Sequence, residues 1–400
     1  MREESGVPFE KSAMQEMKMR FDHSLTEAQK RRWSDYWQKC RHGYPRQHHL
    51  FGEVERAKGR VPIYVSGECN ANLVLVGVFS IRPLVFGHRG SFEAVCLRGP
   101  AFDEVACAAS AFRQIIDYFS RLWVGSIQAG PYWIYPEAET VERMLVDLGF
   151  SPYGHYIRGT RRHTGLVSLE RSDEEFLSAF SESARREVRR AQRQDIVARY
   201  ATSREDAETF FNELNRMNRE RGLPKIGFAE YQAMFDRILR EGSIGVIING
   251  FKGDSYLGGL LLVRSGWTAH TSKFVVVNQE LKKLANLRLA PLLFWHGMRW
   301  ARDQGCKTLD LEGYLGEQDS SGHLHLIHEY KRAFRPTAVE VLGQYSLVCS
   351  PLLARTHRLS NILRSGVSSL GQVRFRLDVW RKTRRVVKIQ REQSDARENP

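Results

Sequence analysis

Residues 243–266 read SIGVIINGFKGDSYLGGLLLVRSG. Two apolar runs, SIGVIIN (243–249) and YLGGLLLVRSG (256–266), flank GFKGDS, whose glycines, aspartate and serine favour a turn, so the stretch reads as paired strands. The same pattern stands earlier in the chain, where VPIYV (61–65) and LVLVGVFSIRP (73–83) flank SGECNAN. Gly77 and Gly258 occupy matching places in the two copies. In the first copy a helix, FDEVACAASAFRQIIDYFSRL (102–122), leads to a strand, WVGSIQAG (123–130). In the second, a strand AHTSKFVVV (269–277) precedes the helix LANLRLAPLLFWHGMRWARDQG (284–305) and the strand KTLDLEG (307–313). A repeat this long means duplicated domains, and strand, strand, helix, strand means a mixed sheet flanked by helices. The second helix is apolar nearly all round (Leu287, Leu289, Leu292, Leu293, Phe294, Trp295, Met298), which predicts burial against its sheet. The expected class is therefore α/β (α+β). Its plan is an N-terminal helical segment over 1–44, a first domain over 45–165, a second over 166–345 and a basic helical tail over 346–400.

The totals agree with two domains. The chain has 400 residues, 42% hydrophobic and 26% charged, enough for two cores of ordinary size. A formal net charge of +14 favours anionic partners such as phosphates, RNA or a membrane face. The six cysteines lie far apart with no metal-like spacing, the N-terminus lacks the apolar core of an export signal, and no run is long enough to span a bilayer. These features predict reduced thiols and a cytoplasmic location. His323, His325 and His328 in GHLHLIH have neither helical i,i+4 pairing nor nearby cysteines, so no metal site is expected there.

Joining the copies is SDEEFLSAFSESARREVRRAQRQDI (172–196), read as one helix with Ser172 as N-cap and Glu175 completing a capping box. At helical spacing Arg185, Arg186, Arg189, Arg190 and Arg193 share one arc, while Phe180, Ala184, Val188 and Ala191 share the other side. Five like charges repel unless an anion answers them. The arc is either a substrate-phosphate site or a solvated face. Arg221 and Lys225, bracketing a Gly-Leu-Pro loop, carry the same two readings. In HEYKRAFRP (328–336), Lys331 stands among Tyr330, Arg332 and Phe334, as either a snorkelling surface lysine or a cation in a walled site.

Three stretches together, SESARREVRRAQRQDI, LANLRLAPLLFWHGMRWARDQGCKTLDLEGYLG and HEYKRAFRP, resemble the FemAB-type peptidyltransferases, and CLRGPAF (96–102) is similar to their first-domain turn. The resemblance covers about residues 45 to 345. It implies two tandem GNAT-like domains and transfer of an aminoacyl group from aminoacyl-tRNA to an amine of a phosphate-bearing cell-envelope precursor, with no cofactor. It also implies that Lys331 stabilises charge during transfer while Tyr330 and Phe334 shape the site. Arg335-Pro336 stands where the family has glycines, and Arg56 or Lys58 would serve for a substrate-phosphate lysine that has no clean counterpart. Asp310 and Glu312 end a strand and are either proton acceptors for the amine or a strand end paired with arginines.

An acyl-CoA-dependent GNAT enzyme acting on an amino sugar or lipid-linked glycan is the rival reading. Such enzymes cradle the CoA pyrophosphate on N–H groups of a glycine-containing loop that opens a helix. No glycine lies between Gly266 and Gly297, which argues against that cradle. A basic RNA- or membrane-binding protein without activity is the third. Residues 351–400 hold twelve Lys/Arg against four Asp/Glu, with Val373, Leu377, Trp380 and Val387 at helical spacing. That predicts either peripheral contact with the inner face of an anionic membrane or a helix docked on the second domain.

Overall fold

A computed structural model describes residues 17–83, 92–122, 124–153, 163–220, 222–223, 225–239, 244–314 and 330–350. The elements run β1 (Lys18–Asp22), α1 (Glu27–Lys39), α2 (Leu50–Ala57), β2 (Val61–Cys69), β3 (Asn72–Pro83), β4 (Phe92–Cys96), α3 (Val105–Arg121), β5 (Val124–Ala129), α4 (Ala138–Asp147) and β6 (Ser151–Pro152). Then come β7 (His163–Ser168), α5 (Asp173–Ala179), α6 (Glu182–Arg193), β8 (Ile196–Tyr200), α7 (Arg204–Glu220), α8 (Phe228–Met234), β9 (Gly245–Lys252), β10 (Ser255–Ser265) and β11 (Thr268–Val276). The chain continues through α9 (Asn278–Lys283), α10 (Ala290–Asp303), β12 (Thr308–Asp310), β13 (Thr337–Glu340) and β14 (Tyr345–Val348).

Both expected hairpins form. β2 pairs antiparallel with β3 down to Cys69 opposite Asn72, around Asn70 and Ala71 at φ 50° and 63°. β9 pairs with β10 down to Lys252 opposite Ser255, around Gly253 at φ 54°. Two-residue turns with positive φ match the twist of the strands they join. Each hairpin is extended by a third antiparallel strand, β4 or β11. A crossover helix, α3 or α10, then leads to a strand parallel to it, β5 or β12. The first copy therefore has a strand, β4, that the sequence reading passed over.

Two seven-stranded mixed sheets result, in the orders β1-β2-β3-β4-β5-β14-β6 and β13-β7-β12-β11-β10-β9-β8. β14 follows the second unit yet completes the first sheet beside β5, and β7 lies in the second sheet beside β12. Residues 346–348, which the sequence plan gave to the tail, thus belong to β14, and the N-terminal segment contributes β1 as well as α1. The joining segment is two helices, not one. Phe180 turns into the core, and Ser181 starts α6 by accepting a hydrogen bond from the Ala184 N–H at 3.2 Å. Ser172 and Glu175 form the expected capping box at the start of α5.

α10 is buried as its composition requires. Leu293, Phe294 and Met298 pack among Ile248, Leu260 and Leu262, each large side chain contributing roughly 1.5–3 kcal/mol of burial. Gly297 permits this contact, since a Cβ there would come within 2.7 Å of the Leu262 side chain. A separate cluster joins the two units, with Trp33, Trp37, Tyr64 and Val76 meeting Ile244 and Val263. Among the described residues no helix is long and apolar enough to cross a membrane. The basic segment 351–400, Arg221, and His323, His325 and His328 lie outside the described residues.

Candidate active site

β12 ends at Asp310, and the chain then turns through Glu312 and Gly313 at φ 57° and 48°. A glutamate in the left-handed region is uncommon, and here it has a visible consequence. The carbonyls of Glu312 and Gly313 both face Lys331, whose Nζ donates to each, to Gly313 O at 2.9 Å. Lys331 is only 5% exposed. Burial pulls its pKa down to about 8, although Asp310 and Glu312 oppose that shift. An ammonium has three N–H groups, so one donor remains beyond the two carbonyls. Lys331 is thus a walled cation, and it also ties down the end of β12.

Asp310, 1% exposed, does not pair with arginines and is not open to an amine. Its carboxylate accepts from the Thr164 hydroxyl, from Tyr132 OH at 2.5 Å and from the Glu312 N–H at 2.6 Å. Burial works to raise its pKa, but His270 and these hydroxyls outweigh it and hold the group below its ordinary value. Asp310 is therefore an anchor, because its oxygens are already occupied by donors. Glu312 differs. Its side chain is 39% exposed and accepts from Tyr44 OH at 2.8 Å.

His270, on β11, faces both carboxylates. Its Nε2 lies 3.1 Å from Ser265 Oγ, and that hydroxyl gives its single proton to Gly43 O at 2.9 Å. Ser265 can then only accept from the ring, which fixes a proton on Nε2. The buried Nδ1 has no hydrogen-bond partner and points at Asp310 Oδ2 (3.6 Å) and Glu312 Oε1 (3.7 Å). A buried lone pair facing two carboxylates is unfavourable, so a cation belongs there. Among the described residues these three groups could hold a metal ion, with ligand atoms within 4.8 Å of one another. A proton on Nδ1 satisfies the same carboxylates without bringing a divalent ion into a cleft that basic side chains already line. Burial lowers the pKa of His270, but the two carboxylates reverse that, and the net shift is upward.

Two cavities border this part of the second unit. A cleft of about 430 Å³ is lined by Tyr44, Arg46, Lys58, Arg98, Lys273 and Glu312. It lies between the first unit and the second sheet. A second, mostly apolar pocket of about 470 Å³ is lined by Phe274, Val276, Leu281, Leu289, Pro291 and Tyr330, with Arg288 and Arg332 also on its wall. Tyr330 walls the apolar pocket and Glu312 the cleft, and Lys331 follows the first in the chain and donates to the carbonyl of the second.

The other residues singled out in the sequence scatter. Phe334 does not shape a site. It is 1% exposed and packs its ring on Phe180 and Phe294 at 5.1 and 4.7 Å. Arg56 bonds His23 O at 3.1 Å and pairs with Glu53 away from the cleft, while Lys58 reaches the cleft but is engaged by Glu55 at 3.2 Å and Glu230 at 2.8 Å. The arginine arc divides. Arg186, Arg189 and Arg193 are exposed, whereas Arg190 donates to Leu284 O and Ala285 O at 2.7 and 3.0 Å. Lys225 is exposed on its loop. Tyr44, Arg46, Arg98, Tyr132, Thr164, His270 and Lys273 were missed, because each meets the site across a long sequence separation. Arg98, in the quoted CLRGPAF turn, was the nearest to being found.

Residues 178–332 match the family model of the acetyltransferase (GNAT) domain. The chain is also similar to FemX, with a TM-score of 0.68 at 14% identity, over 82% of this chain and 97% of that one. The chain thus has the tandem GNAT-like fold, with the acetyltransferase (GNAT) match in its second unit. A tandem GNAT protein from the clavulanic acid biosynthesis pathway aligns over 84% of this chain and 99% of that one, at 9% identity and a TM-score of 0.47. No curated protein matches the chain. The GNAT match covers His270, Asp310, Glu312 and Lys331, while Tyr44, Tyr132 and Thr164 of the same network lie outside the matched residues. The two-unit arrangement expected from the FemAB-type resemblance is the arrangement observed.

Proposed function

We propose that the enzyme moves an aminoacyl or acyl group from an activated donor in the apolar pocket to an amine of a phosphate-bearing cell-envelope precursor in the cleft, with aminoacyl-tRNA as the donor. One observation carries this reading: a buried ammonium with a spare donor follows Tyr330, which walls an apolar cavity, and donates to the carbonyl of Glu312, whose residue lines a cleft of basic side chains. The amine attacks the donor's carbonyl carbon, the carbonyl oxygen takes negative charge beside Lys331 Nζ, and the leaving oxygen departs as the tetrahedral centre collapses. Glu312, the exposed carboxylate of the network, receives the amine's proton, and the leaving oxygen takes up a proton as it departs with the electron pair of the broken ester bond, so that amide and alcohol result. One well-aimed donor to such an oxyanion supplies roughly 3–4 kcal/mol. The exposed Arg186, Arg189 and Arg193 suit the phosphates of a large polyanionic donor.

Labelled aminoacyl-tRNA and labelled acetyl-CoA, each offered with a nucleotide-linked muropeptide, test the assignment. Label should pass from the tRNA to the peptide amine, and transfer from acetyl-CoA alone would establish the rival. Replacing Arg186, Arg189 and Arg193 together by Gln should flatten the salt dependence of tRNA binding by about 2 in logarithmic slope. An unaltered slope would leave those residues as a solvated face.

Oxyanion stabilisation requires the ammonium form. The rate should therefore fall as pH rises through about 8, where Lys331 loses its proton. Lys331→Arg cannot deprotonate in that range, so whatever activity it keeps should not fall there. A basic limb that persists unchanged in Lys331→Arg would assign the limb to another group.

A further inference from the structure

In GNAT enzymes that use acyl-CoA, the donor's pyrophosphate rests on N–H groups of a loop that opens a helix, here taken as the crossover helix between the third antiparallel strand and its parallel partner. The corresponding loop here runs over 284–289, between α9 and α10. It is already occupied. Glu187, on α6, places Oε2 3.0 Å from the Arg288 N–H, which donates to it. Its other oxygen, Oε1, lies 3.5 Å from Arg190, and Arg190 donates in turn to Leu284 O and Ala285 O of the same loop. One side chain of α6 thus takes a donor of the loop while its neighbour one turn on takes two acceptors.

The rest of the loop agrees. Ala285 and Asn286 sit at φ 52° and 57° without being glycines, so side chains project where a cradle needs bare backbone. Pro291, in the first turn of α10, removes one N–H that would otherwise point at an anion. Glu187 itself is only 18% exposed, and a carboxylate near a helix N-terminus is favourably placed. A pyrophosphate entering here would have to displace that carboxylate or stand against it.

We propose that Glu187 is a built-in stopper of the anion cradle. It excludes pyrophosphate-bearing thioester donors and reserves the apolar pocket for an ester donor whose phosphates lie outside it. Arg190 is the positioning residue that holds stopper and loop together. This rests on the reading that the apolar pocket receives the donor, and it concerns binding alone, so it can fail while the acyl-transfer assignment stands.

Calorimetric titration of the full chain with coenzyme A, without acceptor or turnover, tests it. The wild-type protein should bind coenzyme A with Kd no tighter than about 1 mM, and Glu187→Ala should bind it at least about tenfold tighter. Arg190→Ala loosens the loop but leaves the carboxylate in place, and should show no gain. If Glu187→Ala does not melt as a folded protein, Glu187→Gln, which keeps the shape and removes the charge, should show a several-fold gain instead. Micromolar binding by the wild-type protein, no gain on removing the charge, or an equal gain in Arg190→Ala would each overturn the proposal.

Discussion

Lys331→Ala should lower kcat by about two to three decades, the loss expected for one oxyanion donor. The resemblance in sequence implies only that Lys331 stabilises charge during transfer. The structure predicts a second effect, because Nζ is bonded to the Glu312 and Gly313 carbonyls inside a buried wall. Losing charge-assisted hydrogen bonds of this kind costs roughly 1.5–3 kcal/mol. The two effects are separable. Lys331→Met restores most of the buried volume without the charge, so it should recover part of the stability and none of the rate. Single-turnover rates at saturating donor, normalised to the folded fraction from urea unfolding, provide the measurement. A folded Lys331→Met protein with wild-type kcat would remove Lys331 from the chemistry.

Periodicity and turn chemistry made the repeated hairpins, the all-apolar α10 and the caps at Ser172 and Glu175 legible, since each is written within a few residues. What escaped the sequence depends on distant partners. β14 joins the first sheet only because β5 has an open edge beside it, and nothing within Tyr345–Val348 specifies that neighbour. Phe180 reads as the apolar side of one continuous helix, yet the contact of its ring with Phe334 ends α5 there and lets Ser181 begin a new helix. Lys331 was found through its local aromatic setting. The environment of Asp310 was not, because Tyr132, Thr164 and His270 approach it from three other strands and loops. Pairing with arginines was one of the two readings the sequence left open for Asp310. Hydroxyls and an imidazole replaced them, since a site closed to water favours short donors that fit between strands. The arginine arc shows the same limit, because helical projection finds a shared face but not the loop carbonyls that claim Arg190.

Asp310→Asn should be the most destabilising single change in this network, by about 3–5 kcal/mol, the usual consequence of breaking a buried charged pair. The amide keeps the size of the side chain but turns one acceptor into a donor. At least one of Thr164, Tyr132 and the Glu312 N–H then meets a donor in a site closed to water. His270 makes the penalty depend on pH. Its folded pKa is raised, so its contribution is complete below the ordinary imidazole value of about 6.5 and is lost as pH rises through the folded value. Asp310 has a lowered folded pKa, so its contribution is complete above about 3.9 and is lost as pH falls through its own folded value. Both hold together between about pH 4 and 6.5, where the imidazolium and carboxylate are both charged. Urea unfolding of wild type, Asp310→Asn, His270→Gln and the double variant should therefore give a favourable coupling energy at pH 6 that shrinks once His270 has titrated. A favourable coupling already missing at pH 6 would mean that Nδ1 carries no proton in the folded protein, and the charge facing the two carboxylates would have to come from another cation.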